Sequence, residues 1–283
     1  MLEIQTSPVL SVAQKEEQLV RILSELKRVV IGFSGGVDSS YLAFMANRVL
    51  GQNALCVTAI SPSYPSFQKK ETAEFVMQFG LNHQVIESNE LENPEYRENA
   101  PNRCYFCKSE LFSKLWELAK EGGYEAVLDG TNHDDLQDFR PGRRAASEYS
   151  VQSPLLEARM TKLDIRELSQ RSGLPTWEKP ALPCLSSRFP YGTSISAERL
   201  SVVDQGETIL RDFGFRIFRV RYHGELVRLE FDSAELPKAL NMTMSNILVK
   251  RFKALGFKYV TLDLEGYRSG SLNEVLPIVQ EPS

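Results

Sequence analysis

Residues 29–40 read Val-Val-Ile-Gly-Phe-Ser-Gly-Gly-Val-Asp-Ser-Ser, and this stretch decides the fold. Its first four residues are apolar and mostly β-branched, which predicts a buried strand. Two glycines then turn the backbone, and residues 41–50 carry apolar side chains at the spacing of one helix face. The stretch therefore predicts a strand, a tight turn and a helix in direct succession.

The turn between this strand and this helix has the features of an anion site. Backbone N–H groups and the positive end of the helix point to one place. Gly35 and Gly36 tolerate positive φ and let a phosphate approach the backbone, while the serines of the motif add hydroxyl donors. Asp38 repels a bare phosphate, so its presence predicts a bridging Mg²⁺ ion. The alternative is a Gly-Ser turn that only caps the helix.

The motif differs from the common P-loop, because it contains neither the G-x-x-x-x-G-K-[ST] pattern nor a lysine. Its spacing resembles the SGGxDS pyrophosphate loop of ATP pyrophosphatases, which include GMP synthetase, NAD synthetase, asparagine synthetase and tRNA thiolases. The resemblance implies that ATP is cleaved between its α- and β-phosphates and that AMP is transferred to a substrate oxygen. The residues expected to bind ATP are Ser34, Gly35, Gly36, Val37, Asp38, Ser39, Ser40, Gly130 and Thr131.

Composition indicates an ordinary globular protein. The 283 residues are 42% apolar and 25% charged, and the net charge of −4 gives no general affinity for nucleic acid or anionic membranes. No apolar run is long enough to span a membrane, and residues 1–13 lack a secretory pattern. We therefore expect a cytoplasmic protein, whose cysteines are metal ligands or reactive thiols before they are disulfides.

Helical and strand patterns alternate in the first two thirds of the chain. Strands are predicted at 54–60, 83–87 and 124–128, and helices at 14–27, 66–79 and 108–121. This alternation predicts an α/β fold with a doubly wound parallel sheet, whose ligands lie beyond the carboxyl ends of the strands. The segment 130–162 is polar and is predicted to be irregular, with a basic loop that includes Arg140.

The pattern changes after Ser196. A helix at 197–213, strands at 215–222 and 225–231, a mostly helical stretch at 234–255 and a last strand at 257–263 predict a smaller α+β unit. The predicted domains are therefore an ATP pyrophosphatase domain at 1–195 and a C-terminal α+β domain at 196–283.

Three of the four cysteines form a second group of candidate functional residues. Cys104 and Cys107 make a C-x-x-C pair, Cys184 follows a proline-rich stretch, and Cys56 is predicted to lie in a buried strand. A structural zinc site requires four ligands, whereas three thiolates suit a [4Fe-4S] cluster with one iron left open. A cluster, redox or sacrificial thiols, and zinc or inert cysteines all stay open at this point.

Several motifs together resemble the LarE family over residues 30–225. They are Asn102 to Lys108, Gly130 to Asp135, Arg140-Pro141-Gly142, Pro154-Leu155, Lys179-Pro180, Cys184 to Arg188 and Tyr191-Gly192. The resemblance implies an ATP-dependent sulfurtransferase that builds the nickel-pincer nucleotide cofactor. In this family, ATP adenylylates a carboxylate of pyridinium-3,5-biscarboxylic acid mononucleotide, and sulfur then displaces AMP to give a thiocarboxylate.

The family has two versions, which differ in the source of sulfur. One version sacrifices the sulfur of a single cysteine, and the other has three cysteines and is thought to use a [4Fe-4S] cluster. Because Cys104, Cys107 and Cys184 are all present, the resemblance implies the cluster version. Cys184 also stands at the position of the sacrificial cysteine, so the single-turnover route stays open. The resemblance further implies a homo-oligomer, a hexamer, and the sequence does not identify the sulfur donor.

Further site residues follow from the chemistry and from the resemblance. Lys108 is a candidate to reach the α-phosphate or the carboxylate, unless it is a solvated lysine. Asp134 and Asp135 are either a second carboxylate pair near the metal or solvated loop residues. The substrate is expected to bind at Ser187, Arg188, Glu207, Arg219 and Arg221. Arg219 and Arg221 share one strand face, and a solvated edge strand is the alternative.

Three other functions compete with the LarE-like one. A tRNA thiolase also combines this loop with a C-x-x-C and a third cysteine, but the net charge of −4 disfavours an RNA partner. An amide synthetase such as NAD or GMP synthetase requires no such cysteines. A nucleotide-sensing or iron–sulfur binding module is the non-enzymatic alternative.

Overall fold

The computed structural model describes residues 10–136, 141–181, 183–268, 270–271 and 274. Arg140 of the expected basic loop lies outside the described residues. The helices, in chain order, are α1 (Val12–Glu25), α2 (Val37–Leu50), α3 (Ser66–Phe79), α4 (Pro94–Arg97), α5 (Arg103–Gly122), α6 (Pro141–Glu148), α7 (Pro154–Glu157), α8 (Lys162–Arg171), α9 (Ala197–Asp212), α10 (Leu236–Leu240) and α11 (Met242–Ala254). None of the described helices is long and apolar enough to cross a membrane.

The chain forms two compact units, and the first contains the parallel sheet. It comprises residues 1–61, 68–89 and 104–182. Its described strands are β1 (Val29–Gly32), β2 (Ala54–Ile60), β3 (His83–Glu87) and β4 (Ala126–Leu128), in the order β3-β2-β1-β4. All neighbouring pairs are parallel, with Val29 aligned with Ala54 of β2 and with Ala126 of β4. The predicted α/β fold with a central parallel sheet is confirmed.

Both faces of this sheet are covered. On β1, Val29 and Ile31 pack into one buried cluster with Leu23 of α1 and Leu42 of α2. Val30 points to the opposite face and packs with Leu115 of α5 and its neighbours. The alternation of strand side chains thus divides the core into two layers, as in a doubly wound fold.

Several predicted elements differ in their bounds from the structure. Helix α2 begins at Val37, inside the motif, and α5 begins at Arg103, five residues before the predicted start. The segment expected to be irregular contains α6 and α7, whereas the stretch at 234–255 is mostly helical as predicted and forms α10 and α11. In α6 the buried Ala145 and Ala146 face the core, and two such small residues give a weak apolar pattern in the sequence.

The second unit comprises residues 62–67, 90–103 and 183–283. Its described strands are β5 (Phe218–His223), β6 (Leu226–Phe231) and β7 (Tyr259–Leu262), with β5 antiparallel and β7 parallel to the central β6. Helix α9 packs beside α11, where a Cβ at Gly206 would lie 2.8 Å from the Phe252 ring. The predicted domains divide the chain once, at residue 195, whereas each unit of the structure is made of several separate segments. The predicted domain boundary at residue 195 therefore stays a prediction.

Candidate functional site

The loop of residues 34–36 joins β1 to α2 in the way that the sequence predicts. Gly35 has φ +73°, a conformation that favours glycine, and Gly36 caps α2 without a side-chain hydrogen bond. The hydroxyl oxygens of Ser34 and Ser39 lie 3.0 Å apart, so the two side chains brace the turn. The uncapped N-terminus of a 14-residue helix therefore faces the loop, as an anion site requires.

Gly130 lies against the first turn of α2. A Cβ at this position would lie 2.9 Å from the Ser39 nitrogen, so only glycine fits beside the helix start. Thr131 donates its hydroxyl to Asp129 at 2.8 Å, and its N–H donates to the same carboxylate at 3.1 Å. Gly130 thus borders the loop by direct contact, whereas the Thr131 side chain is oriented by Asp129.

The two carboxylate oxygens of Asp38 have different environments. Oδ2 accepts a hydrogen bond from the Nζ of Lys162, the first residue of α8. Oδ1 is buried and has no hydrogen-bond partner in the described part of the chain. A buried carboxylate oxygen without a partner is costly unless a cation or donor reaches it. The Asp38 carboxylate therefore fits the oxygen-ligand chemistry of Mg²⁺.

Two side chains make contacts with the loop that were not predicted from the sequence. Lys179 Nζ donates to the Gly35 carbonyl at 3.1 Å and lies 2.7 Å from the Glu71 carboxylate. Gln68 Nε2 donates to the Ser34 carbonyl at 2.6 Å. Gln68 has no motif around it, and Lys179 lies 144 residues from its partner in the loop.

Of the acidic pair Asp134 and Asp135 after β4, Asp135 is buried and Asp134 is exposed, and both accept hydrogen bonds from the backbone. Asp135 accepts a hydrogen bond from the Asn132 N–H at 3.0 Å. Asp134 Oδ2 accepts a hydrogen bond from the N–H of Lys162 at 2.8 Å, so it fixes the start of α8. Asp134 thereby positions the residue that pairs with Asp38.

Cys104 and Cys107 lie on the first turns of α5. Three residues apart in a helix, they share a face, and Cys104 is exposed while Cys107 is half-buried. Helix α6 approaches closely, since a Cβ at Gly142 would lie 3.0 Å from Lys108 Cγ and 3.7 Å from the Cys104 carbonyl. Lys108 Nζ lies 5.2 Å from the centre of the Phe112 ring.

The kind of metal group that the cysteines can bind depends on the protonation and the softness of their thiols as donors. Cys56 is buried in β2, and burial raises the pKa of its thiol to about 12, so it is a core residue as predicted. The other three thiols are soft donors that fit iron–sulfur ligation in kind. Among the described residues, no three His, Cys, Asp or Glu side chains already stand together as a metal site.

In the second unit, Arg188 fixes the backbone around Cys184. Arg188 is 1% exposed, and its Nε and Nη2 donate to the Glu207 carboxylate at 2.7 and 3.1 Å. Its Nη1 donates to the Pro183 carbonyl at 2.9 Å and to the Ser187 hydroxyl at 2.8 Å. Burial raises the pKa of Glu207, but the Arg188 charge and hydrogen bonds outweigh it and lower the pKa overall.

Arg219 and Arg221 lie on one face of β5, and both are buried, so a solvated edge strand is wrong. Arg221 makes two bonds to Glu230, at 2.9 and 2.8 Å, and a third to the Ser187 carbonyl at 2.9 Å. Arg219 donates to the Tyr267 hydroxyl at 3.1 Å and packs on that ring. Burial, and next the charge of Arg188, lower the pKa of Arg219 to about 10, which still leaves a cation at neutral pH.

Comparisons with known proteins identify the family. A family model described as NAD synthase matches residues 14–103. A protein of Synechocystis sp., described as uncharacterized, is 47% identical over 93% of this chain and 98% of its own length. The pyridinium-3,5-bisthiocarboxylic acid mononucleotide synthase of Lactiplantibacillus plantarum is 37% identical over 95% of this chain and 98% of its own length. The chain belongs to the LarE family.

This LarE family member also has more distant relatives. The glutamine-hydrolyzing GMP synthase of Thermobifida fusca is 24% identical over 70% of this chain and 43% of its own length. The predicted family, the α/β fold class and the enzyme class, an ATP-dependent sulfurtransferase, are confirmed. Family membership therefore excludes the non-enzymatic binding module and favours sulfur transfer over an amide synthetase.

Proposed function

We propose that this enzyme adenylylates a carboxylate of pyridinium-3,5-biscarboxylic acid mononucleotide and then installs sulfur as a thiocarboxylate. The observation that carries the proposal is the 37% identity, over nearly the whole chain, to a pyridinium-3,5-bisthiocarboxylic acid mononucleotide synthase. The loop at the start of α2 supports the first half of the reaction, because adenylylation requires a site for the departing pyrophosphate.

The activation step needs charge neutralisation more than covalent chemistry. A carboxylate oxygen of the substrate attacks the α-phosphorus of ATP, and pyrophosphate leaves with the electrons of the broken P–O bond. We assign pyrophosphate binding to the backbone of Gly35, Gly36 and Val37 and to the hydroxyls of the neighbouring serines. Asp38 would hold Mg²⁺, which neutralises phosphate charge when bound. Lys108 stays a proposed contact of the reacting phosphate, and Gly130 and Thr131 stay proposed contacts of ATP.

The second unit is the proposed binding site for the substrate phosphate. Guanidinium groups suit a phosphate, and Arg219 and Arg221 present two of them on one face of β5. Arg188 is paired with the Glu207 carboxylate, and Arg221 is paired with the Glu230 carboxylate. We therefore assign Arg188 and Arg221 a supporting role. We assign Ser187 and Glu207 to the same pocket and expect Arg219 to make the most direct contact.

Sulfur transfer completes the proposed reaction. A sulfide equivalent attacks the acyl carbon of the adenylate, and AMP leaves with the electrons of the broken C–O bond. We propose that Cys104, Cys107 and Cys184 hold a [4Fe-4S] cluster, which when bound supplies an iron site for an external sulfur ligand. The alternative is loss of the Cys184 sulfur itself. We also propose that the enzyme acts in the cytoplasm as a homo-oligomer, a hexamer.

The test is a direct assay of pyrophosphate release. The protein, purified without oxygen, is incubated with ATP, Mg²⁺, sulfide and the biscarboxylate nucleotide, and pyrophosphate and thiocarboxylate are measured. Release that depends on the nucleotide supports the proposal. Release with bulk tRNA instead would favour a tRNA thiolase, and no release with the biscarboxylate nucleotide would contradict the proposed substrate.

A further inference from the structure

Lys162 contacts Asp38 of the 34–40 motif, although no sequence motif predicts this contact. Its ammonium group bonds the Asp38 carboxylate across 124 residues of sequence. Both groups belong to the first unit, and their side chains are 34% and 22% exposed. The head of Lys162 is therefore partly solvated and is not locked into a buried pair.

The backbone of Lys162 is fixed more firmly than its side chain. Its N–H donates to Asp134 at 2.8 Å, and the preceding residue, Thr161, closes a capping box with Asp164. Asp164 in turn pairs with Lys15 of α1 at 2.5 Å. The start of α8 is thus held at the loop while a flexible four-carbon chain carries the charge.

A divalent cation at Oδ1 of Asp38 would weaken the bond between Oδ2 and Lys162. A metal ion and an ammonium group at the same carboxylate repel each other, and the divalent charge binds the carboxylate more strongly. The displaced ammonium must then find another anion close by. The phosphates of ATP, bound at the N-terminus of α2, supply that anion.

We propose that Lys162 exchanges Asp38 for a phosphate group of ATP when Mg²⁺ and ATP bind. In the ligand-free enzyme it neutralises the carboxylate that otherwise takes the metal, and in the complex it binds phosphate. This proposal rests on the use of ATP and Mg²⁺ in the proposed function.

The composition of the loop supports this role. In the common P-loop a lysine within the loop reaches the β- and γ-phosphates, whereas residues 34–40 contain no lysine. Lys179 also reaches the loop, but its ammonium group bonds the Gly35 carbonyl and Glu71. Lys179 therefore braces the backbone, and Lys162 supplies the charge.

The experiment measures ATP affinity by calorimetry in EDTA and, separately, with Mg²⁺. The variants are K162M, D38N and the double variant D38N/K162M. K70M is the matched control, since Lys70 is an exposed lysine of α3, with its side chain 81% exposed. We expect K162M to weaken ATP binding at saturating Mg²⁺ about tenfold, the size of one charge-assisted hydrogen bond. K70M should bind like the wild type.

The Asp38 variants separate phosphate binding from structural support. D38N frees Lys162 and removes a repulsive charge, so it should bind metal-free ATP more tightly than the wild type. D38N/K162M should lose that gain. A second readout is thermal unfolding without ATP, in which Mg²⁺ should raise the Tm of K162M more than that of the wild type, because its competitor for Asp38 is gone.

Each outcome decides the proposal. Equal affinity of wild type and K162M for ATP at saturating Mg²⁺, or equal metal-free affinity of D38N and D38N/K162M, would overturn it. If K162M does not fold, the comparison of D38N with D38N/K162M decides alone, since neither leaves an unpaired charge at Asp38. A wild type that binds ATP but releases no pyrophosphate with the biscarboxylate nucleotide contradicts the proposed substrate only. A wild type that binds no ATP contradicts both.

Discussion

The buried pair of Arg188 and Glu207 gives a stability prediction at the scale of single residues. E207Q leaves a guanidinium that is 1% exposed without its counter-ion, so at pH 7 it should lower the free energy of unfolding by about 3–5 kcal/mol. The pKa of Glu207 is lower in the folded than in the unfolded chain. Its contribution is therefore complete above the unfolded pKa, about 4.3, and is lost as the pH falls through the folded pKa.

Urea unfolding at pH 7 and at successively lower pH checks this expectation. The difference between wild type and E207Q should be largest at neutral pH and should shrink as Glu207 becomes protonated. E225Q is the control, because Glu225 is an exposed carboxylate of the same unit, paired with Lys258. It should change stability by less than about 0.5 kcal/mol. A neutral-pH stability of E207Q equal to that of the wild type would contradict the prediction.

Sequence reasoning found single residues through local motifs and missed their partners. Residues 34–40 can be recognised from the sequence alone, because a phosphate-binding turn needs glycines and hydroxyl groups at fixed local spacing. Lys162 and Lys179 meet this loop across 124 and 144 residues, and no local pattern records such a contact. Arg219 and Arg221 alternate as on a solvated strand, but the Glu230 carboxylate and the Tyr267 ring let them be buried.

At the scale of elements, the close approach of Gly130, two residues after β4, to the start of α2 predicts the effect of G130A. The added Cβ would lie 2.9 Å from the Ser39 nitrogen and 3.2 Å from its Cα, and backbone atoms cannot move aside cheaply. The start of α2 must shift, so we expect a loss of about 1–3 kcal/mol in stability and weaker ATP binding. Thermal unfolding and ATP calorimetry measure the two effects.

G32A is the matched control for G130A. Gly32 ends the neighbouring strand β1, and a Cβ there would meet Leu115 at 3.5 Å, an ordinary van der Waals distance. G32A should therefore keep most of its ATP affinity. If G130A also keeps both the stability and the ATP affinity of the wild type, the contact between Gly130 and α2 does not shape the loop.

Element boundaries were harder to predict than element types. The first turns of α5 read Arg-Cys-Tyr-Phe-Cys-Lys and have no clear apolar stripe, so periodicity placed the helix start at residue 108. The structure instead puts Cys104 and Cys107 on the helix itself. Their shared helical face could not be predicted, because it follows from that earlier start.

At the scale of the whole molecule, the two units interleave along the chain. Residues 62–67 and 90–103 belong to the second unit, although they lie between segments of the first. The sequence shows where the order of predicted helices and strands changes, as it does after Ser196. It does not show that a short segment of the chain belongs to the other unit. Cys104 and Cys107 belong to the first unit and Cys184 to the second, and no local sequence pattern predicts this division.

The three cysteines give the last prediction, which concerns the number of turnovers. With a cluster, the wild type purified without oxygen should contain about four iron atoms per chain and convert many substrate molecules when sulfide is supplied. C104S, C107S and C184S should each lose iron and sulfur transfer, because each removes one of three thiolate ligands. C56A is the control, since Cys56 is buried in β2, and it should keep its iron.

The sacrificial route makes the opposite prediction for two of these variants. If the sulfur comes from Cys184 itself, C104S and C107S keep a single turnover, and only C184S loses it. Mass spectrometry after the reaction then shows a wild type lighter by one H₂S, whereas the cluster route leaves the protein mass unchanged. Activation precedes sulfur transfer on either route, so pyrophosphate release in C184S should persist. Loss of pyrophosphate release in C184S would instead indicate that Cys184 is needed for activation.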